Sequence, residues 1–258
     1  MKLILKYLST HLKVDLEYRA SFILTAIAQG IVMLVELFAI NSLFHKFGLL
    51  GTYNINELLL GFSIVWLGFS LTEMFFRGFD HFSELIIHGS FDILLIRPRN
   101  IYLQIFGSDI CYEKISRVLV SLFLFISSSL KVIKTITFLK LLTLFLIVIG
   151  CVIIFVSIFI IGAAFCFITI QGLEAVNIFT DGSRQLTQYP MGIYKRIIRI
   201  IFTFIIPLTC VNYYPIKYLT GNTTNIIYVF LPLVSIIFLI ISILIFNKGI
   251  RKYNSTGS

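Results

Sequence analysis

Long apolar stretches are the feature that most limits what this chain can fold into. Five of them reach or approach the roughly 20 residues that a helix needs to cross a bilayer, and a shorter serine-rich run makes a sixth. Hydrophobic residues make up 58% of the chain and charged ones 13%, against about 25% charged in soluble domains. The sequence therefore predicts an all-α polytopic membrane protein with six transmembrane helices, at Ala20–Phe44, Glu57–Phe76, Ser116–Lys131, Phe138–Ile170, Ile197–Tyr214 and Ile226–Phe246.

The basic residues orient these spans, because cytoplasmic loops are enriched in lysine and arginine. With both termini in the cytoplasm, 16 of the 21 Lys and Arg residues fall inside. The inner group includes four from the stretch Gln171–Arg199, namely Arg184, Lys195, Arg196 and Arg199. The outer group is Lys46, Lys131, Lys134, Lys140 and Lys217. We therefore predict a multi-pass protein of a cytoplasmic membrane. The basic residues flank spans and do not alternate with stacking aromatics, so we expect no nucleic-acid partner.

Residues 1–19 form an amphipathic segment ahead of the first span. At helical periodicity one stripe is Leu5, Leu8, Leu12 and Leu16, and another is Lys2, Lys6 and Lys13. Such a helix can lie in the membrane interface with its leucines towards the acyl chains and its lysines towards lipid phosphates. We therefore predict an N-terminal elbow helix with membrane lipids as partners. The alternative is a solvated helix that packs on its own protein.

The stretch Arg77–Arg117 is a polar segment between the second and third predicted spans. It holds ten of the chain's 33 Lys, Arg, Asp and Glu residues. So ordered a charged segment between membrane spans indicates that something outside the bilayer grips it. We predict that residues 77–115 are cytoplasmic, and that Pro98 ends whatever structure Phe91–Ile96 forms, since proline restricts the residue before it.

Within that segment, Asp80–His88 is predicted to be a short helix. Asp80 would cap its start, and Gly89 suits the left-handed conformation just past its end. One face carries Phe82, Leu85 and Ile86, and the opposite face carries Asp80, Glu84 and His88. A short helix with two such faces suits the groove of a partner protein. The alternative is that its apolar face packs on the chain's own membrane domain.

No motif for catalysis or metal binding is present. The phosphate loop GxxxxGK[ST], the zinc pattern HExxH and the nucleophile pattern GxSxG are all absent from the sequence. The four cysteines are scattered without a CxxC pair, and the four histidines fall outside the predicted spans. We therefore expect no catalytic residue, no metal site and no cofactor bound by this chain.

Several short motifs, in matching order along the whole chain, resemble the permease subunits of type-two ABC exporters. The resemblance is to the bacterial six-span branch, whose chains are about as long as this one. The most specific motif is GSFDILLIRPRN at Gly89–Asn100. The others are EYRASF at Glu17–Phe22, QYPMGIY at Gln188–Tyr194, TFIIP at Thr203–Pro207 and RKYNSTGS at Arg251–Ser258.

The resemblance implies a single transmembrane permease domain over residues 1–258, in the inner membrane of a bacterium. It would pair with a second permease, identical or related, and dock on a cytosolic ABC ATPase through a coupling helix at Asp80–Gly89. ATP and Mg would be used by that ATPase and not by this chain. The expected coupling residues are Asp80, Phe82, Glu84, Leu85, His88, Gly89, Asp92, Arg97 and Pro98. Of these, movement would pass through Glu84, His88, Asp92 and Arg97.

In such exporters the substrate path lies at the dimer interface, lined by spans one, two and five. The candidates for it are Gln29, Glu36, Glu73, Tyr213 and Tyr214. An acid in hydrocarbon costs several kcal/mol, so Glu36 should face a cavity or a partner; a structural hydrogen bond between helices is the alternative. Glu73 can equally be a solvated helix end, and the two tyrosines can be ordinary interfacial aromatics.

The sequence favours an exporter permease for an amphipathic drug, peptide or lipid, because few charges lie in the spans. Two other classes stay open. A secondary transporter needs paired intramembrane charges or an inverted repeat, and neither is visible in the sequence. A membrane scaffold without transport activity is the other alternative.

Overall fold

The computed structural model describes residues 2–47, 54–133, 135–169, 173–189 and 191–254. These ranges are helical and hold no β-strand, which confirms the predicted all-α membrane architecture. Some predicted features lie outside the described residues. They are Ile170 at the end of the predicted fourth span, Gln171 at the start of the basic stretch, Lys134 of the outer group, Pro190 of the motif QYPMGIY, and the tail residues 255–258.

Numbered in chain order, the helices are α1 (Lys2–Glu17), α2 (Arg19–Phe47), α3 (Ile55–Asp80), α4 (Phe82–Ile87), α5 (Ser90–Ile96), α6 (Ile101–Phe106), α7 (Ile115–Val132), α8 (Phe138–Phe165), α9 (Leu173–Thr187), α10 (Arg196–Phe204), α11 (Leu208–Val211), α12 (Tyr213–Leu219), α13 (Ile227–Phe230) and α14 (Val234–Lys252). Short 3-10 turns at Tyr112–Lys114 and Leu231–Leu233 lead into α7 and α14.

Five helical segments of the described chain are long and apolar enough to cross a membrane. They contain α2, α3, α7, α8 and α14, and so correspond to the predicted spans one to four and six. The bent pair formed by α10 with α11 and α12 would be a sixth. Most of α3 is buried by the rest of the chain, whereas α2 and α7 are largely exposed in the single chain. The bundle is therefore built around α3 and α8.

A glycine lets α3 and α8 come close together. A Cβ atom on Gly68 would lie 2.5 Å from the Sγ atom of Cys151, so only glycine fits without a shift. Around this point the Phe69 and Phe155 rings meet edge to face at 5.1 Å, and Thr72 Oγ1 donates to the Val152 carbonyl at 3.3 Å. Small residues allow such close packing of membrane helices, which have little hydrophobic drive to associate.

The helices α8 and α14 run in the same direction. Gly150, in the middle of α8, lies against Pro232 just before α14, and Phe167, just past the end of α8, lies against Gly249 near the end of α14. The chain must therefore return across the bundle between them. That return is made by α9, which lies antiparallel to α3.

Three contacts fix the direction of α9. Near its middle, Asp181 shares a cavity with Asp80 at the end of α3. One turn later the guanidinium of Arg184 lies 4.4 Å from the Trp66 ring. Just past the end of α9, Gln188 lies beside Glu57 in the first turn of α3.

The prediction that Gln171–Arg199 lies wholly at the inner end is therefore wrong for its described residues. The helix α9 is only weakly apolar, so a search for hydrophobic runs does not find it. Lys195, Arg196 and Arg199 follow α9 at the far end of α3 from the coupling segment, which removes them, with the mid-bundle Arg184, from the inner group of basic residues.

The predicted fifth span, Ile197–Tyr214, is not one straight helix. The direction of the chain changes by 81° between α10 and the unit of α11 and α12. Pro207 lies at this break and can give no amide hydrogen bond to continue α10. The hydroxyls of Thr203 and Thr209 lie 2.7 Å apart across the bend, and Arg199 reaches the Tyr213 ring at 6.0 Å. These contacts join the two limbs of a V-shaped helical pair beside α8.

The helix α1 packs with only one side on the rest of the chain. Tyr112 donates to the Leu8 carbonyl at 3.0 Å, and the His11 ring lies 3.0 Å from the Gly107 carbonyl. In contrast Leu5, Leu12 and Leu16 are exposed. Most of the leucine stripe therefore does not pack on the protein, which supports the elbow helix over the alternative. Its location in the membrane interface stays a prediction.

We predict that Gly68→Ala lowers the unfolding midpoint of the purified protein, with a loss of about 1–3 kcal/mol, because the new methyl group collides with Cys151. Adding Cys151→Gly should recover much of the loss by removing the colliding atoms. Thermal unfolding in detergent measures both. The matched control is Gly182→Ala in α9, where no atom lies within 4 Å of the added Cβ; an equal loss there would contradict the packing argument.

Candidate coupling surface and polar path

Two short helices, α4 and α5, occupy the predicted coupling segment. Gly89 joins them with a φ of 64°, which confirms its predicted left-handed conformation. The helix α5 ends at Ile96, two residues before Pro98, as predicted. The predicted cap is wrong: Asp80 is the last residue of α3, and His81 precedes α4 without a side-chain cap. The reason is that Asp80 pairs with Arg77 one turn earlier, at 2.8 Å.

The apolar face of the coupling segment packs on the chain itself. Phe82 is fully buried, and its ring lies 5.0 Å from Phe91, 5.2 Å from Phe167 and 5.4 Å from Phe246. Ile86 is also buried, and Leu85 is partly buried. Phe82 is thus not on the surface that a partner would touch. Instead it fastens α4 to the C-terminal ends of α8 and α14.

The opposite side of α4 and α5 points away from the bundle. Glu84 is exposed on α4 and His88 just after it, and Arg97 and Pro98 are exposed after α5. Large apolar side chains lie among them: Ile87 and Ile93 are more than half exposed and Ile96 is 83% exposed. Asp92 is half-buried on α5, beside the Tyr253 hydroxyl, whose pKa is raised by burial and by that carboxylate. Apolar residues that alternate with charged ones suit a protein partner better than lipid.

A buried ion network ties the end of α3 to α7. The Glu73 carboxylate accepts from Arg117 Nη1 at 2.7 Å and from Arg77 Nη1 at 3.2 Å. The same Arg77 nitrogen pairs with Asp80. Glu73 is 5% exposed, so it is not a solvated helix end. Buried charges are tolerated only when such pairing offsets the loss of hydration.

The last turn of α3 is set apart from the helix above it. The backbone leaves helical geometry at Phe76, with φ of −119° and ψ of 20°. The Cys111 amide, in the segment before α7, donates to the Met74 carbonyl at 3.0 Å. This segment is therefore hydrogen-bonded to α3 next to the irregular turn. Just below it, His81 Nδ1 lies 2.8 Å from an Asp109 oxygen. The start of α4 is therefore held by the segment that leads into α7.

The predicted path acid Glu36 has a partner from a distant part of the chain. Arg184 Nη1 lies 3.4 Å from each Glu36 oxygen, and Arg184 Nε lies 3.6 Å from Asp181. The guanidinium is stacked on the Trp66 ring, which Arg117 also approaches, at 5.3 Å. Arg184 is largely buried, whereas the side chains of Glu36 and Asp181 are 30% and 58% exposed. Charged groups thus lie on one open side of the bundle.

The other predicted path residues lie in different places. Gln29 is half-buried on α2, and its Oε1 atom has no hydrogen-bond partner among the described residues. Tyr213 and Tyr214 start α12, with rings 5.2 Å apart. Tyr213 is mostly buried beneath Lys217, whose Nζ lies 4.4 Å from its ring. The structure therefore brings Glu36 and Glu73 near one charge network and puts the tyrosines beside the bent pair.

Sequence reasoning missed Arg184, Asp181, Arg117 and Trp66 as members of this site. It also expected no paired charges within the spans, and the Glu36–Arg184 and Glu73–Arg117 pairs overturn that expectation. A signal existed for two of them: Asp181 and Arg184 are three residues apart in a segment of helical amphipathicity. Their partners could not be read, since the position of α9 depends on packing.

A comparison with protein-family models finds a match over most of this chain. The family described as ABC-2 family transporter protein matches residues 31–257. The matched part runs from the middle of α2 past the end of α14 and includes the whole coupling segment. Neither the curated proteins nor the solved structures contain a match.

Asp109 provides a pH-dependent prediction. The hydrogen bond with His81 is the main reason that the pKa of Asp109 lies below its usual 3.8. The contact therefore stabilises the fold above pH 3.8 and loses its effect as the pH falls through the lower folded-state pKa. We predict that Asp109→Asn lowers the unfolding midpoint by a few degrees at neutral pH, and that this difference shrinks below pH 3.8. A difference that does not change with pH would contradict this assignment.

We also predict that Arg184→Met destabilises the protein, by about 1 kcal/mol, because the partly exposed carboxylates of Glu36 and Asp181 lose their cation. Adding Glu36→Leu should restore part of the loss, and a double-mutant cycle of unfolding free energies measures the coupling. As a control, Glu17→Leu at the exposed end of α1 replaces Glu36→Leu as the second change. Its effect on the unfolding free energy should simply add to that of Arg184→Met. Strict additivity in the Glu36 cycle would show that the ion pair has no energetic role.

Proposed function

The chain belongs to the ABC-2 transporter protein family and is a membrane permease of the ABC exporters, and on that premise we propose how it works. The outer side of α4 and α5 docks on a cytosolic ABC ATPase. A second permease, the same chain or a sister chain, covers the charged side of α2 and α9. The pair exports an amphipathic drug, peptide or lipid across the inner membrane of a bacterium, with both termini of the chain in the cytoplasm.

The observation that carries the docking proposal is the exposed mixture of side chains on α4 and α5. Ile87, Ile93 and Ile96 are exposed among Glu84 and Arg97. Interface centres are built from apolar residues inside a polar rim, and a few buried side chains carry most of the binding energy. Ile96 is the leading candidate for such a residue, because it is the most exposed of the three.

Movement of the ATPase would reach the membrane helices through two rigid contacts. The rings of Phe82 and Phe91 transmit it to α8 and α14, and the ion pairs of Glu73 transmit it from α3 to α7. Nucleotide closure of the ATPases then shifts the population between two arrangements of the bundle. ATP and Mg are consumed in the ATPase, and this chain binds no cofactor in the proposal.

The substrate path follows the open side of α2 and α9. Glu36, Asp181 and Gln185 have exposed or partly exposed side chains in helices packed on α3. Polar and charged groups at membrane depth almost always face a protein interior or a water-filled cavity. A second permease on this side therefore supplies the other wall. In this proposal α9 lines the substrate path, a role that the sequence analysis gave to the predicted fifth span, Ile197–Tyr214.

The test is co-purification of the tagged chain with the ABC ATPase encoded beside it. We predict that Ile96→Asp lowers recovery of the ATPase by about tenfold, corresponding to about 1.4 kcal/mol, because it puts a charge in the centre of the contact. Glu84→Lys should weaken recovery as well. The matched control is Ile136→Asp in the connection between α7 and α8, where the isoleucine is 69% exposed.

Equal recovery with Ile96→Asp and with the control would refute the docking surface. A chain that recovers no ATPase at all, even as the wild type, would favour the scaffold alternative. Hydrolysis-coupled flux in vesicles then separates a transporter from a scaffold.

A further inference from the structure

A small cavity lies between the start of α3, the segment just past α9, and α12, at the end of the bundle opposite α4 and α5. Its volume is about 30 Å³, close to the share of liquid volume that one water molecule takes. Leu58, Tyr213 and Ile216 are buried residues of its wall, and the exposed Asn222 marks its mouth. The cavity can therefore take the end of one functional group, from a ligand that extends past Asn222.

Two buried side-chain oxygens in the wall of this cavity lack a hydrogen-bond donor. Asn212 and Gln188 line the cavity and are 5% and 7% exposed. Asn212 Nδ2 donates to the Thr187 carbonyl at 2.7 Å, which identifies the other amide atom as the acceptor Oδ1. Neither Asn212 Oδ1 nor Gln188 Oε1 has a hydrogen-bond partner among the described residues. Since buried polar atoms are nearly always hydrogen-bonded, two such oxygens at one cavity indicate a donor from a bound molecule.

A glycine keeps the space beside Asn212 open. A Cβ atom on Gly61 would lie 3.3 Å from Asn212 Oδ1 and 3.5 Å from Ile216 Cδ1. A larger side chain at this position of α3 would therefore cover the oxygen. Gly61 itself lines the cavity, so the absence of a side chain leaves room for a ligand group to reach Oδ1.

The two oxygens indicate which functional group fits. Both are satisfied by one nitrogen that carries two hydrogens, as in a primary carboxamide, whereas a hydroxyl has one hydrogen to donate. The charged residues of the lining are Glu57 and Lys217, so their formal charges balance and favour a neutral group over a cation. A carboxamide also has a carbonyl oxygen, which can accept a hydrogen bond from the Lys217 ammonium.

We propose that this cavity binds the NH2 end of a primary carboxamide in the transported substrate, which donates to Gln188 Oε1 and Asn212 Oδ1. The inference rests on the proposed export function. It narrows the substrate class to amphipathic molecules that carry a carboxamide, such as peptides with an amidated end or an asparagine or glutamine side chain. The Gln188 backbone amide donates to the Arg184 carbonyl at 3.1 Å, so the cavity lies one turn further along α9 than Arg184. It continues the proposed path, and Tyr213, a predicted path residue, also lines it.

Binding can be measured on the purified chain alone, in detergent and without an ATPase, by isothermal titration calorimetry. Benzamide carries the NH2 group, and acetophenone has the same shape and carbonyl with a methyl group in its place. We predict saturable binding of benzamide and about tenfold weaker binding of acetophenone, which corresponds to the loss of about one net hydrogen bond. Benzylammonium has N–H donors and a positive charge. It should also bind more weakly than benzamide, because the lining has no excess negative charge.

Two variants test the named atoms. Gln188→Met removes one acceptor and should weaken benzamide binding by about tenfold, with acetophenone binding unchanged. Gly61→Ala narrows the cavity beside the other acceptor and should weaken the binding of both probes. The matched controls are Asn254→Met, which removes an exposed amide beyond α14, and Gly182→Ala, where no atom lies within 4 Å of the added Cβ. Both controls should bind benzamide as the wild type does.

Equal binding of benzamide and acetophenone would overturn the proposal and would leave a bound water as the donor to the two oxygens. An unchanged benzamide affinity in both Gln188→Met and Gly61→Ala would contradict it as well. Tighter binding of benzylammonium than of benzamide would refute the choice of a neutral group. ATPase co-purification is independent of this titration, so failure here leaves the export function standing.

Discussion

The shared carboxylate of Glu73 is the contact on which the half of the bundle around α4 and α5 depends. Two guanidinium groups reach it, Arg77 from its own helix and Arg117 from α7. Charges this deeply buried are costly unless every member of the network is paired. Arg77 then extends the network to Asp80, at the point where α3 ends and the coupling segment begins. One electrostatic network thus lies where α3 ends and joins that end to α7.

The aromatic cluster adds a second, apolar attachment at the same end. Phe82 and Phe91 belong to the coupling segment, and Phe167, Phe246 and Tyr253 belong to the ends of α8 and α14. Closely packed interiors have low compressibility and transmit displacement. The coupling segment is therefore not a loose loop on the surface. It is joined to α3, α8 and α14, and its side with charged residues and exposed isoleucines stays open.

The sequence and the structure agree best where the signal is local. The lengths of the apolar stretches correctly predicted five spans. The conformational preferences of glycine and proline correctly predicted the left-handed Gly89 and the end of α5 before Pro98. They disagree at α9 and at the bent pair. The helix α9 carries Asp181 and Arg184, so its composition resembles a solvated loop segment, and the basic residues after it were assigned to the wrong end. The strongly apolar segment after it looked like a span, although Pro207 divides it.

The sequence by itself determined the class of molecule, a helical membrane protein, together with its family. These follow from composition, from periodicity and from short motifs, which are properties of neighbouring residues. The tertiary structure alone decided which charges meet. Glu36 and Arg184 are 148 positions apart, and their pairing depends on α9 lying against α3. A helical pattern shows which side chains share a face of one helix, but it carries no information about which helix that face will contact, since packing of the whole bundle selects the partner.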